Sequence, residues 1–427
     1  MKFFDNPTYG EIDEFLSDEI RESDVSAKVA GIIEKVKKSG DNALFELTRE
    51  LDSVDLSASG FKVDEKELKN SLDKLDPELV ESLKVAKTNI VRYHEHQKRP
   101  NWQFEIGYGS FIREVSVPVN RVGVYVPGGT APLVSSVLMS VLPAKVAGVK
   151  EIIVVTPPQK DGNINEGILA ACAMCEVDGV YKIGGAQAIS AMAFGTQSIP
   201  KVDIIVGPGN PYVTEAKRQL YGVVGLDMIA GPSEVLVLAD ENTNSEYAAL
   251  DLLSQVEHGR DSKGICISTN KKVLEKIETE IDKQTKKLSR KEILKVSVDK
   301  GIVFVKVDKV NRMIDLVNHI GPEHLEIMLQ EPKTVIDKIT NAGVVFIGSY
   351  TPEAVGDYIA GPSHVLPTGG KAKFFYGLSI YHFLKKMSYI SYTKEKLDSV
   401  ARHIINISKC EGLDAHLKSV EIRTKKE

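Results

Sequence analysis

Between residues 122 and 232 the chain repeats one unit four times: an apolar strand, a turn of small residues, a helix. The strands read RVGVYV, EIIVVTP, GVYKIGG and KVDIIVG, and the helices between them are rich in Ala, Ile, Leu and Met. Successive strands that must each be followed by a covering helix leave one economical solution, a parallel doubly wound sheet. Ligands of such sheets bind outside the carboxyl ends of the strands. The turns at those ends are Pro127-Gly128-Gly129, Gly184-Gly185-Ala186-Gln187 and Gly207-Pro208-Gly209-Asn210. None is a G-x-G-x-x-G fingerprint: after Gly207 and Gly209 the third glycine position holds Tyr212. A dinucleotide site here rests on architecture and not on a motif.

A second α/β region starts near Gly231, with EVLVLAD, GICISTN, GIVFVKV, HLEIML and AGVVFIG as strands. With 427 residues the chain is too long for one core, so more than one domain is expected. Residues 22 to about 100 show helical periodicity, broken at Ser39-Gly40-Asp41, and the first 21 residues read as a short acidic helical arm. After Ser349 comes YTPEAVGDYIAGPSHVLPTGG, a loop of a length that is usually functional. Helical turns over KFFYGLSIYHFLKK and a long helix lead to the tail EGLDAHLKSVEIR.

Charge and cysteine content narrow the function. A net charge of −5 with scattered lysines argues against a nucleic-acid footprint. No apolar run is long enough for a membrane span, and the acidic start lacks a signal-peptide core, so a cytoplasmic protein is expected. Four cysteines make no disulfide framework, and Cys172-x-x-Cys175 lies in an apolar helix and reads as core packing.

The polar residues that could carry chemistry sit in punctuated segments. In DLLSQVEHGRDS a helix is expected to start on a Thr243/Glu246 capping box and to stop at Gly259. Asp251, Gln255 and His258 then lie on one stripe, which holds either a metal or simply a solvated face with a histidine near the helix end. GPEHLE places Glu323 and His324 in a turn entering a strand, an acid–base pair by residue type. The long loop carries Asp357 and His364, and the tail carries Glu411 and His416. Gln255, His258, Asp357 and His416 would form a nitrogen and oxygen set suited to Zn²⁺, if a fold brought them together.

VGVYVPGGTAPL, GGAQAISAMAFGT, VDIIVGPGNPYVTEAKRQ, DMIAGPSEVLVLAD, DLLSQVEHGRDS, GPEHLEI, GDYIAGPSHVLPT and EGLDAHLKSVEIR together resemble the histidinol dehydrogenase family, collinearly from about residue 25 to 423. The resemblance implies an aldehyde dehydrogenase-like fold with two Rossmann-like doubly wound domains. It divides the chain into an arm (1–21), a first α/β domain carrying most catalytic residues (22–121 and 233–378), a nucleotide-side domain (122–232) and a tail (379–427) that completes the site of the neighbouring subunit in a homodimer. It also implies a two-step oxidation of L-histidinol through the aldehyde to L-histidine, the last step of histidine biosynthesis, with NAD and one Zn²⁺ per site. On the matching positions Gln255, His258, Asp357 and His416 are the zinc ligands, and Glu323 and His324 the catalytic pair. Tyr125, Gln187 and Asn210 contact the nucleotide. Ser233, Glu411 and His324 contact substrate along with the zinc ligands, and His364 assists. The alternatives are a related zinc dehydrogenase of another polar alcohol, a zinc hydrolase with an open metal position for water, and a non-catalytic binding protein.

Overall fold

A computed structural model of the chain describes residues 1–17, 22–128 and 132–424. They fall into two units, Met1–Gln97 with Asn120–Phe383, and Lys98–Val119 with Leu384–Glu427.

In the first unit the strand-and-helix repeats form a five-stranded parallel sheet. Its spatial order is Gly179–Lys182, Glu151–Thr156, Arg121–Tyr125, Ile204–Val206, Gly225–Leu226. The central strands are buried on both faces (Val124 and Ile152 on one, Tyr125 and Ile153 on the other), which is why they read as unbroken apolar runs. The order reverses between Arg121–Tyr125 and Ile204–Val206, which makes this the topological switch point of the sheet.

A six-stranded parallel sheet runs Lys2–Asp5, Ile302–Lys306, Lys263–Ser268, Glu234–Ala239, His324–Met328, Val344–Ile347. Without its edge strand Lys2–Asp5, it has the smaller sheet's order in chain sequence: third, second, first, fourth, fifth. That edge strand corrects the expectation of a purely helical arm. Residues 2–5 pair with Ile302–Lys306, and only Tyr9–Leu16 is helical, while residues 18–21 lie outside the described ones.

Residues 22–97 also depart from the expected grouping. Val29, Ile33 and Leu44 share a core with Ile153, Ile189 and Val213, so these helices cover the smaller sheet and not the larger one. The apolar stripe of the helix Glu22–Ser39 needs such a face. The break at Gly40 is real: φ is 53° there, and the Gln197 side chain fills the space a Cβ would take.

The second unit is an antiparallel sheet in the order Leu384–Ser391, Ser110–Pro118, Trp102–Gly107, with the helices Lys394–Cys410 and Asp414–Thr424. Residues 98–119 therefore pair with the tail. Leu384–Ser391 is a strand where helical turns were expected, and only Lys371–Lys373 and Ile380–Phe383 are single 3₁₀ turns. Among its described residues the buried apolar side chains are Val115, Val119, Ala401, Leu417 and Val420. Trp102, Phe104, Tyr389, Ile390, Ile407 and Ile422 are all exposed. No described helix of the chain is long and apolar enough to cross a membrane.

Candidate functional site

The predicted acid–base and metal-type residues of the first unit gather at the amino ends of the larger sheet. Glu234 and His324 open neighbouring strands, with His324 in register with Val235 and Val344. Strand alternation puts His324, Glu326 and Met328 on one face, and the helix Ser245–Val256 packs over that face through Ala248, Leu252 and Val256.

That helix starts one residue later than its capping-box pattern suggests. Asn244 is the N-cap and accepts from the Glu246 and Tyr247 N–H groups, while the Thr243 hydroxyl donates to the Met328 carbonyl at 2.8 Å. The helix ends at Val256, so Gln255 sits in its last turn, fully buried. His258 lies beyond the end, exposed in the following turn; the common stripe holds for Asp251 and Gln255 only.

The long loop is not structureless. It contains the helix Glu353–Tyr358, which presents Glu353 and Asp357 one turn apart, and the Glu353 N–H donates to Glu326 Oε1 at 2.9 Å. Ligand atoms of His258, Glu353 and Asp357 lie within 4.8 Å of one another. Gln255, with its amide nitrogen turned to Glu353, donates to Oε2 at 2.9 Å. The His258 imidazole with the Glu353 and Asp357 carboxylates, without thiolate, fits Zn²⁺ or a similar ion, and the Gln255 amide adjoins this group through Glu353.

His324 has a defined tautomer. Its Nδ1 is 3.2 Å from the Glu234 carbonyl oxygen, which only accepts, so Nδ1 carries the proton. Nε2 is buried without a hydrogen-bond partner, 3.9 Å from Asp357 Oδ1. Burial, reinforced by His258 and His364, pushes the imidazole pKa down to about 3, so it is neutral at physiological pH. His364 is held the same way: Nδ1–H donates to the Asp357 carbonyl at 3.1 Å, Nε2 accepts from the Ser136 hydroxyl at 3.2 Å, and burial lowers its pKa to about 4.

Carboxyls crowd this rim. Glu323 Oε2 accepts from the Glu234 N–H at 3.0 Å, and Glu234 Oε1 accepts from the Glu323 N–H at 3.3 Å and the Gly369 N–H at 3.0 Å. Burial holds Glu323 well above the carboxylate range, and the Glu234 and Asp357 charges add to it. Burial raises Glu234 to about 7 and Asp357 to about 6. Glu326 and Glu353 are raised well up by the same cause. Glu234, Glu326 and Glu353 were not singled out from the sequence. The available signals were the glutamates that interrupt the apolar runs of EVLVLA and HLEIM and the four-residue spacing of Glu353 to Asp357. His324, Asp357 and His364 line a cavity of about 160 Å³ whose other walls include Val344, Val345, Phe346, Val355 and Leu366. Ser233 is half-buried just ahead of the strand Glu234–Ala239.

At the carboxyl ends of the smaller sheet Tyr125 is buried, and its hydroxyl accepts from the Gly185 N–H at 3.2 Å; burial pushes its pKa to about 12. Gln187 Oε1 and Thr156 Oγ1 are buried without partners. Asn210 is exposed and caps the helix Pro211–Leu220. At Gly184 a Cβ would press on Pro157, so the turn stays close to the sheet. The unpartnered Gln187 amide oxygen and Thr156 hydroxyl, at the strand ends where such sheets bind ligands, fit the ribose hydroxyls of a dinucleotide. Of the first turn, Gly129 lies outside the described residues. Glu411 and His416 belong to the second unit and are exposed there.

The acetylating aldehyde dehydrogenase of Geobacillus thermoglucosidasius superposes with a TM-score of 0.50 at 14% identity over 90% of this chain and 97% of that one, a likeness of fold alone. Histidinol dehydrogenase from Elizabethkingia anophelis matches with a TM-score of 0.93 at 36% identity, covering 99% of this chain and 98% of the other. The chain is thus an oxidoreductase of the NAD-dependent dehydrogenase class, built on paired Rossmann-like sheets. Its residues 17–424 match the family model for histidinol dehydrogenase. The histidinol dehydrogenases of Bacillus cereus (48% identity over 410 residues, 96% of this chain and 94% of the relative) and Listeria monocytogenes (47% over 403 residues, 94% of each) are similar along nearly the whole length. The chain belongs to the histidinol dehydrogenase family.

Proposed function

We propose that the chain oxidises L-histidinol twice in one cavity, through L-histidinaldehyde to L-histidine, with His324 as the base. The observation that carries this reading is the neutral His324 ring, its Nδ1–H pinned by the Glu234 carbonyl and its Nε2 unpartnered at the cavity wall. Nε2 takes the hydroxyl proton of the alcohol, and the pinned Nδ1–H keeps the ring from turning over. Glu323 takes a proton from the water that adds to the aldehyde. Ser233 contacts the substrate, and His364, anchored at both nitrogens, assists by holding the cavity wall and the Asp357 backbone in place. Apolar walls at Val345, Phe346 and Leu366 keep the aldehyde from bulk water. Cys172, Cys175 and Cys266 are buried and none lines this cavity, while Cys410 is exposed on the tail.

Gln255, His258 and Asp357, joined by His416 from a second copy, would hold Zn²⁺, which supplies a fixed Lewis-acid anchor for the substrate's imidazole and amine. Tyr125, Gln187 and Asn210 would hold NAD⁺, which would supply the hydride acceptor. A homodimer with exchanged tails belongs to the same reading: the second unit's sparse core and exposed Trp102, Phe104, Ile390 and Ile407 call for cover, and Glu411 would reach the substrate with His416. A cytoplasmic location fits the free cysteines.

The test is absorbance at the NADH band with limiting L-histidinol and excess NAD⁺. About two NADH per substrate are expected when both steps share the site. One NADH, with aldehyde released, would overturn the shared-cavity reading.

A further inference from the structure

Beneath the turn Gly207–Asn210 lies a buried ion pair that the chemistry above does not use. Lys217, on the helix Pro211–Leu220, and Asp227, just after the edge strand Gly225–Leu226, meet at 2.6 Å with both side chains almost wholly inaccessible. The Lys217 ammonium also donates to the Gly207 carbonyl at 2.8 Å. Asp227 Oδ2 accepts from the Gly207 N–H at 2.8 Å, and Oδ1 accepts from the Met228 N–H at 2.6 Å. Both polar backbone groups of one residue are therefore held by this pair. Gly207 is also a position that only glycine fits: its φ is 110°, and the Tyr125 carbonyl fills the space of a Cβ.

A buried ion pair gives no advantage in stability over well-packed apolar side chains, because desolvation offsets the attraction. An apolar pair here would, however, leave the Gly207 N–H and carbonyl unpaired inside the protein. What the charges add is a fixed conformation for the first residue after the strand Ile204–Val206, at the point where the strand order reverses. Three residues on, the same turn delivers Asn210 to the helix N-terminus.

We propose that Lys217 and Asp227 are positioning residues for nucleotide binding, clamping Gly207 so that the turn to Asn210 is preformed for the dinucleotide. The inference rests on the reading that NAD⁺ binds at this edge. Its effect falls on nucleotide affinity and leaves the base, the carboxyls and the metal-type ligands of the larger sheet untouched, because none of them contacts the pair.

The experiment measures NAD⁺ binding directly by calorimetry, with zinc content and histidinol binding as controls. Lys217→Met/Asp227→Asn removes both charges and keeps an acceptor for the Gly207 N–H, while the Gly207 carbonyl loses its donor. Its NAD⁺ dissociation constant should rise about tenfold, the scale of one lost buried hydrogen bond, with histidinol affinity and zinc content unchanged. If the double variant does not fold, Lys217→Gln replaces it, since that side chain can keep Asp227 bonded but is too short to hold Gly207 as well. Gln187→Ala reports on the site itself. Weaker NAD⁺ binding by Gln187→Ala, with wild-type binding by the clamp variant, overturns the clamp alone. Wild-type binding by both overturns the nucleotide reading together with it. A clamp variant that loses histidinol and zinc as well as NAD⁺ would make the pair a general structural element and would also overturn the inference.

Discussion

Replacing Glu234 by Gln should stabilise the protein above neutral pH and do little below pH 5. Glu234 is 5% exposed, and burial raises its carboxyl from the ordinary 4.5 to about 7, against the opposing pull of N–H groups from Gly369, Gly370 and Glu323. A carboxyl raised on folding favours the folded state below its unfolded pKa, and that contribution is lost as pH rises through the folded value. Here the loss runs from about 4.5 to 7 and amounts to about 3 kcal/mol. Glutamine keeps an acceptor for the Glu323 and Gly369 N–H groups but never ionises, so it escapes the loss. For a chain of this length about 3 kcal/mol is about 3 °C in the unfolding midpoint. Calorimetric scans of both proteins at pH 5 and pH 8 should show the variant gaining most of that difference at pH 8. A gap of the same size at both pH values would mean that Glu234 does not titrate in this window, and the account of the carboxyl rim would fail.

His324→Ala should slow oxidation of both alcohol and aldehyde by about 10² to 10⁴ in stopped-flow NADH traces, the usual range for a lost base. Glu323→Gln should slow mainly the aldehyde step, and equal slowing of both would contradict the division of roles. Chelation should abolish activity while circular dichroism keeps its native form, since the apolar cores of both sheets stand without the ion; a chelated chain that unfolds would make the ion structural. Co-expressed His324→Ala and His416→Ala chains, each inactive alone, should recover roughly a quarter of wild-type activity if tails are exchanged in a two-fold dimer. Verified mixed dimers without activity would refute the exchange.

Much of the parallel architecture was legible because strands buried on both faces must be apolar throughout. Glu151–Thr156 and Ile302–Lys306 announce themselves that way. Leu384–Ser391 was not legible: exposed along most of its length in the single chain, it carries no alternation to read. Lys2–Asp5 is four residues long and joins the sheet only through pairing with Ile302–Lys306, a contact no local pattern encodes. At the site, Glu323, His324 and Asp357 stood out by residue type beside turn signals. Glu234, Glu326 and Glu353 did not, because a glutamate is ordinarily solvated and only the fold reveals that these are buried. His258 fell off its expected stripe because the helix stops at Val256, ahead of Gly259.

The two rims of a parallel sheet are chemically unlike. The starting rim exposes N–H groups and the finishing rim exposes carbonyls. The cluster of carboxyls lies on the starting rim of the larger sheet, where Glu234 and Glu323 each take the other's N–H. Mounted on the opposite rim, the same carboxyls would confront carbonyl oxygens and repel them whenever ionised. The rim thus limits which end of a parallel sheet favours a cluster of acids.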